Sequence, residues 1–196
     1  MKRTFDLICS VTLIIVLAVP LLIISIFIKI TMPGPVFFIQ ERVGWHGNIF
    51  KLIKFRTMKV AMGKGMGSFD AGDSSRITPL GGILRKTKID ELPQLFNVLA
   101  GNMSIVGPRP EVKIWTEVYP EQWKIVHLIK PGVTDEASII FRNEEEILRK
   151  SLNPNETYKN QILPQKLELY IKYVYHQSFL GDLKIILRTI KHVIFK

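Results

Sequence analysis

Cysteine is almost absent: Cys9 stands alone in 196 residues, so no disulfide can form within the chain. Histidine is nearly as sparse, and His46, His127, His176 and His192 show no zinc-ligand spacing, so a bound metal would have to rely on oxygen ligands. Acidic residues are the scarcer charge, 17 Asp plus Glu against 27 Lys plus Arg, for a formal net charge of +10. That excess points to an anionic partner: nucleic acid, an anionic membrane face or a phosphorylated substrate. No internal repeat or low-complexity tract is evident. The glycine-rich stretch "GKGMGS" lacks the Gly-Lys-Ser/Thr spacing of a phosphate-cradling P-loop.

What the chain does have is a long apolar run. Leu7 to Ile28, "LICSVTLIIVLAVPLLIISIFI", carries no charge and as a helix would measure about 33 Å, enough to cross a hydrocarbon core. It exceeds the apolar run of a cleaved signal, about 7–15 residues, and no small-x-small site follows it. Pro20 removes a backbone donor and predicts a kink near residues 18 to 20. Lys2 and Arg3 precede the run, and Lys29, Arg42, Lys51 and Lys54 follow it, so both ends read as cytoplasmic. On these residues alone, a single crossing and a helix that enters and returns on the same side both stand.

After this anchor (1–31), "MPGPVFF" forms a rigid extended exit, and residues 32–196 form one domain. "VFFIQERV" and "IFKLIKF" alternate around Gly44 to Asn48 as a β-hairpin does. Residues 60–76, rich in Gly, Ser and Asp, predict a mobile surface loop. Residues 79–100 read as two helical pieces, and "YPEQWKIVHLIKPG" as a short helix stopped by Pro131 and Gly132. In the basic amphipathic helix expected over 182–196, Leu183, Ile186, Leu187, Ile190 and Ile194 form one stripe. Such a stripe packs a core or lies in a membrane interface. The expected fold class is α+β and mainly α: a membrane helix, then a small domain with a β-hairpin and amphipathic interface helices.

The site candidates centre on "KIDELPQLFNVLAG" (88–101), where Asp90 and Glu91 stand just before Pro93. Proline is tolerated in a first helical turn, so the plain reading starts a helix near Asp90 and stops it at Gly101. Asp90 is then an N-cap, and Glu91 complements the helix dipole. Three cationic segments argue for more: Arg85, Lys86 and Lys88 just upstream, Arg109 held between prolines in "GPRPE", and Lys54 and Arg56 in "KFRTM". Carboxylates ringed by cations on rigid segments suit phosphoryl chemistry, because arginine forks grip phosphate oxygens and a divalent cation shields a nucleophile from an anion.

"KFRTM", "LRKTKIDELPQLFNVLAGNMSIVGPRPE" and "KPGVT", behind an N-terminal membrane segment, resemble the small monotopic phosphoglycosyl transferases of the bacterial sugar transferase family. The resemblance covers essentially the whole chain. It implies transfer of a sugar phosphate from a UDP-sugar to a polyprenol phosphate such as undecaprenyl phosphate, with release of UMP. This would be the first membrane step of surface-glycan assembly, at the cytoplasmic face of the bacterial inner membrane. It also implies Mg2+, an aspartyl-phosphosugar intermediate and a re-entrant anchor broken near Pro20. Under the same resemblance Asp90 is the nucleophile and touches magnesium, and Glu91 serves as base or positioning group. Lys54, Arg85 and Arg109 bind phosphate, with Arg56 and Glu111 as further candidates.

The chain departs from the family pattern twice. Val19-Pro20 stands where the family commonly has Ser-Pro, and Asp135 and Glu136 follow "KPGVT" where many relatives have glycine and an apolar residue. Two other classes fit the composition: a membrane-tethered basic binding module without catalysis, and a glycosyl transferase that releases UDP. Nucleic acid is not the expected partner, since adjacent carboxylates repel it and the aromatics show no stacking pattern alternating with Lys or Arg.

Overall fold

The computed structural model describes residues 1–59 and 76–194, the side chain of residue 194 excepted. Its first element is α1 (Lys2–Thr31), one α-helix that continues through Pro20. The expected interruption there is therefore not a stretch of non-helical residues. Asp6, Ser10, Ile14, Leu17, Leu21, Ile24 and Ile28 recur at helical spacing and are buried or half-buried. Between them Ile15, Val16, Val19, Leu22, Ile26 and Phe27 stay exposed, an apolar face with no protein cover.

Both ends of α1 are tied to the domain by polar contacts. At the start, Lys2 Nζ donates to the Val106 carbonyl (3.0 Å) and Tyr173 Oη (3.2 Å) and pairs with Asp182. Asp6 accepts from the Ile105 amide (3.1 Å) and the Ser104 hydroxyl (2.8 Å). A buried carboxylate needs such donors to remain tolerable. At the far end the Arg56 guanidinium donates to the carbonyls of Met32 (2.6 Å) and Pro33 (2.8 Å), closing the chain's exit from the helix.

The predicted hairpin is present. β1 (Phe37–Val43) and β2 (Ile49–Phe55) pair antiparallel from Phe37↔Phe55 to Val43↔Ile49. His46 (φ 56°) and Gly47 (φ 76°) make the reversal. Phe50 and Leu52 face the core, and Lys54 shares their side of the strand. The loop expected over 60–76 lies, except for residue 76, outside the described residues. The Lys59 amide, just before it, donates to the Arg76 carbonyl at 2.9 Å.

Helices follow: α2 (Pro79–Lys86), capped by the Thr78 side chain, and α3 (Gln94–Leu99). Then come β3 (Ser104–Val106), α4 (Lys113–Thr116), α5 (Pro120–Val126) and β4 (Gly132–Thr134). The C-terminal part is α6 (Glu136–Ile140), α7 (Glu144–Lys150), α8 (Pro154–Thr157), a π-helical turn (Tyr158–Ile162), α9 (Leu163–His176) and α10 (Phe179–Ile194).

The parallel pairing of β3 with β4 was not predicted. It explains two motif glycines. The chain segments cross so closely that a Cβ on Gly132 would overlap the backbone of Gly107, and the Gly107 amide donates to Thr134 O at 3.1 Å. "VGPRP" and "KPGVT" are thus two halves of one crossing, and it fixes where Arg109 emerges.

The core has three parts. Trp115, Trp123, Tyr158 and Leu167 pack α4, α5 and α9 together. Phe50, Leu95, Met103, Ile139 and Ile185 pack α3 between the hairpin and α10. Ile28, Met32, Phe55 and Leu84 bury the end of α1.

Over its described residues, the stripe expected on the last helix is left half-buried or bare by this packing. Asp182 and Ile185 are the buried positions, and Thr189 reaches Thr134 at 2.7 Å. Leu187 and Ile190 instead lie exposed with Leu180 and Val193. The apolar residues are therefore divided between two faces of α10, one inward and one bare.

Candidate active site

Lys88 adopts a left-handed conformation (φ 58°) after α2, and Ile89–Glu91 then forms a single 3-10 turn. Leu92 and Pro93 continue helically into α3. This corrects the plain reading of Asp90 as an N-cap. The cap position belongs to Lys88, no side-chain cap bond forms, and Asp90 Oδ1 is buried with no hydrogen-bond partner. A buried acceptor left empty is costly, so such an atom calls for a ligand or a water.

Glu91 is the opposite case. Arg109 grips it through a two-pronged fork, Nη1 lying 2.9 Å from Oε2 and Nη2 on Oε1, and Lys54 Nζ adds a third donor at 3.0 Å. Burial alone would raise Glu91, but Arg109 and Lys54 overcome it and hold its carboxyl well below the ordinary range. The same burial, reinforced by the Glu91 charge, pushes Asp90 up to about 6 despite Lys54, Lys88 and Arg85 nearby. Lys54 is pulled down to about 8, chiefly by burial. Two adjacent carboxylates thus have unlike environments: one saturated and ionised, the other short of partners. Pairs whose environments push them apart mark acid–base and nucleophilic sites.

The register behind this arrangement comes from Asn97, which sequence reasoning missed. Its Nδ2 donates to Lys51 O (2.7 Å) and its Oδ1 accepts from Ile53 N (3.0 Å), so the side chain pairs with β2 as a neighbouring strand would. Asn97 therefore locks α3 to the strand that carries Lys54.

The other expected residues are placed as follows. Arg85 lies close enough to lower the Asp90 carboxyl, while its guanidinium forks onto Glu145 of α7. Arg56 has both terminal nitrogens on the carbonyls at the end of α1, away from the carboxylate pair. Glu111 belongs to an adjoining buried network. Arg42 Nη1 donates to it at 3.0 Å, Tyr158 Oη at 2.5 Å, and Lys166 stands 3.8 Å away. Lys166 also reaches Glu144 at 3.0 Å. With Pro110 joining Arg109 to Glu111, this network braces the segment that presents Arg109. Arg42, Tyr158 and Lys166 had no motif to reveal them, since they meet only through the fold.

At the departures after "KPGVT", Asp135 caps α6, accepting from the Ser138 amide (2.8 Å) and hydroxyl (2.5 Å). Burial raises its carboxyl, partly offset by those bonds. Glu136 pairs with Arg188 of α10 at 2.5 Å.

The model of the family described as bacterial sugar transferase matches residues 1–196. A UDP-glucose:undecaprenyl-phosphate glucose-1-phosphate transferase of Escherichia coli is 34% identical over 97% of this chain, which spans 39% of that relative's length. A sugar transferase of Bacillus subtilis, EpsL, is 37% identical over 99% of this chain and is covered over 87% of its own length. An undecaprenyl-phosphate galactose phosphotransferase of Salmonella typhimurium is 39% identical over 74% of this chain, which spans 33% of that relative. The chain belongs to the bacterial sugar transferase family.

Proposed function

We propose that this protein transfers a sugar phosphate from a UDP-sugar to a polyprenol phosphate, the undecaprenyl phosphate named for its relatives, through an aspartyl-phosphosugar. The observation that carries this reading is the buried, partnerless Oδ1 of Asp90 beside a carboxylate saturated by cations. In the first step the Asp90 oxygen bonds to the sugar-bearing phosphorus. The bond from that phosphorus to the bridging oxygen breaks, and UMP leaves with the electron pair. In the second step the polyprenol phosphate oxygen attacks the same phosphorus and expels the Asp90 carboxylate. Two steps on one nucleophile let a soluble nucleotide and a lipid use the site in turn.

Glu91, gripped and ionised, serves as a positioning group rather than a base. It aligns Arg109 and Lys54 at the place where phosphate oxygens arrive. Arg85, released from the exposed Glu145, joins them. Arg56 secures the anchor, and Glu111 supports Arg109.

Magnesium fits the donor set. Asp90 Oδ1 is an unoccupied acceptor, and the described residues contain no cluster of three His, Cys, Asp or Glu that would close a protein cage. Mg2+ is commonly held by one or two carboxylates together with substrate phosphates. Bound to Asp90, it would supply charge neutralisation for the phosphate oxygens.

The anchor is read as re-entrant. Lys2 and Arg3 at one end of α1 and Met32 at the other are all bonded to the same folded domain. A crossing helix would separate its ends by about 30 Å of hydrocarbon. The bare apolar face of α10 lies beside the start of α1, where Phe5 and Phe179 meet edge to face at 5.3 Å, and suits the membrane interface. The charges flanking the anchor favour the cytoplasmic face of the inner membrane, where this transfer would open the assembly of a surface glycan.

The test is product analysis with a panel of UDP-sugars and undecaprenyl phosphate. UMP supports the proposal, UDP indicates a glycosyl transferase, and neither nucleotide indicates a binding module.

A further inference from the structure

Asp90 has one uncommitted oxygen, and one helical turn further on Gln94 has an uncommitted nitrogen. Gln94 is 1% exposed, and its Nε2 is buried without a hydrogen-bond partner. The backbone from Ile89 to Ala100 stays in the helical region, through the 3-10 turn, Leu92, Pro93 and α3. Its bonds run between residues three apart (Leu92 N to Ile89 O 3.2 Å, Leu95 N to Leu92 O 3.0 Å, Phe96 N to Pro93 O 3.0 Å), so Gln94 stands about one turn along the axis from Asp90 and shares its face most nearly with Glu91.

Glu91 and Asn97 fix which way the face around Gln94 turns. Each lies three residues from Gln94, and each is bonded to β2, the first through Lys54 and the second through Lys51 O and Ile53 N. Gln94 therefore lies over the same strand, beneath the carboxylate pair. The two polar neighbours three residues away are saturated: Glu91 by Arg109 and Lys54, and Asn97 by the strand backbone. An orphaned acceptor and an orphaned donor remain, and they do not bond each other.

Leaving such an amide unpaired costs about 1–3 kcal/mol, which a purely structural position would avoid by carrying an apolar residue. A phosphoryl group on Asp90 resolves both orphans at once. Its phosphorus takes the Asp90 oxygen, and a non-bridging oxygen accepts from the amide. We infer that Gln94 is a further substrate-contacting residue, whose side-chain N–H donates to a non-bridging oxygen of the phosphoryl group as it transfers to Asp90. The neutral amide adds a directed donor without another positive charge, which would lower the carboxyl that must attack. This inference rests on the aspartyl-phosphosugar reading above.

The experiment uses the full-length protein in detergent or nanodiscs with Mg2+ and UDP-sugar but no lipid acceptor. UMP burst rate and intact mass are recorded for wild type and Gln94→Met, which keeps the length and removes the donor. Thermal unfolding is followed in parallel. The expected result is a burst rate lower by on the order of 100-fold, as for loss of one donor to a developing oxyanion, with a melting temperature unchanged or raised. Should Gln94→Met fail to fold, Gln94→Leu is uncharged and likewise lacks the N–H, and the same loss is expected. A wild-type burst in either folded variant overturns the inference and assigns the amide to a bound water. If wild type itself gives neither UMP nor adduct, the aspartyl reading fails instead, so the two failures are distinguishable.

Discussion

Arg109 and Glu91 form a forked ion pair at the centre of the site, with Lys54 on the same carboxylate. The fork is what lysine cannot reproduce. Arg109→Lys is therefore expected to keep the charge yet lose on the order of 100-fold in UMP release, with a smaller loss in stability. A near-normal rate, measured alongside denaturant unfolding, would show that charge alone suffices.

Asp90 carries a stability cost that follows from its surroundings. Folded, its carboxyl holds a proton up to about 6, against an ordinary value of 3.8. Ionisation thus opposes folding, and the penalty grows as pH rises through that interval. Asp90→Asn should be inactive and, at pH 7.5, more stable than wild type by roughly 1–3 kcal/mol. The difference should shrink to near zero below about pH 4, where both side chains are neutral. Urea unfolding of the magnesium-free proteins across this range checks the sign.

Asn97 offers a test of register. Asn97→Leu leaves Ile53 N and Lys51 O unpaired against α3, at about 1–3 kcal/mol for each buried group. Lower unfolding stability together with slower UMP release is expected. Slower release with unchanged stability would contradict the role assigned to the strand contact.

The anchor can be tested by labelling. In a Cys9→Ser background, a cysteine at position 2 and another at position 35 should be modified from the same side of sealed vesicles. Modification from opposite sides would mean that α1 spans the bilayer.

Much of this site was legible in the sequence. Asp90, Glu91, Lys54 and Arg109 are brought together because each sits in a short, rigid motif, and the hairpin was visible in its alternation. The N-cap reading of Asp90 failed because a left-handed Lys88 took the cap position, and no propensity marks that residue for φ 58°. The β3–β4 pair escaped notice because three-residue strands are too short to show a period, although the glycines at 107 and 132 mark their crossing. Asp6 was overlooked beside the uncharged run, yet it ties the anchor to the domain through Ser104 and Ile105. Arg56 shares a motif with Lys54 but lies two residues further on, just past the end of β2, where the Met32 and Pro33 carbonyls take both of its terminal nitrogens.

The mechanism stands on esterification of Asp90 itself. Wild-type protein incubated with Mg2+ and a productive UDP-sugar, without polyprenol phosphate, is digested at low temperature and its peptides are mapped by mass spectrometry. The account predicts stoichiometric UMP and a sugar-phosphate adduct on Asp90 that undecaprenyl phosphate discharges and Asp90→Asn lacks. UMP formation that requires the lipid from the outset, with residue 90 unmodified throughout, would contradict it.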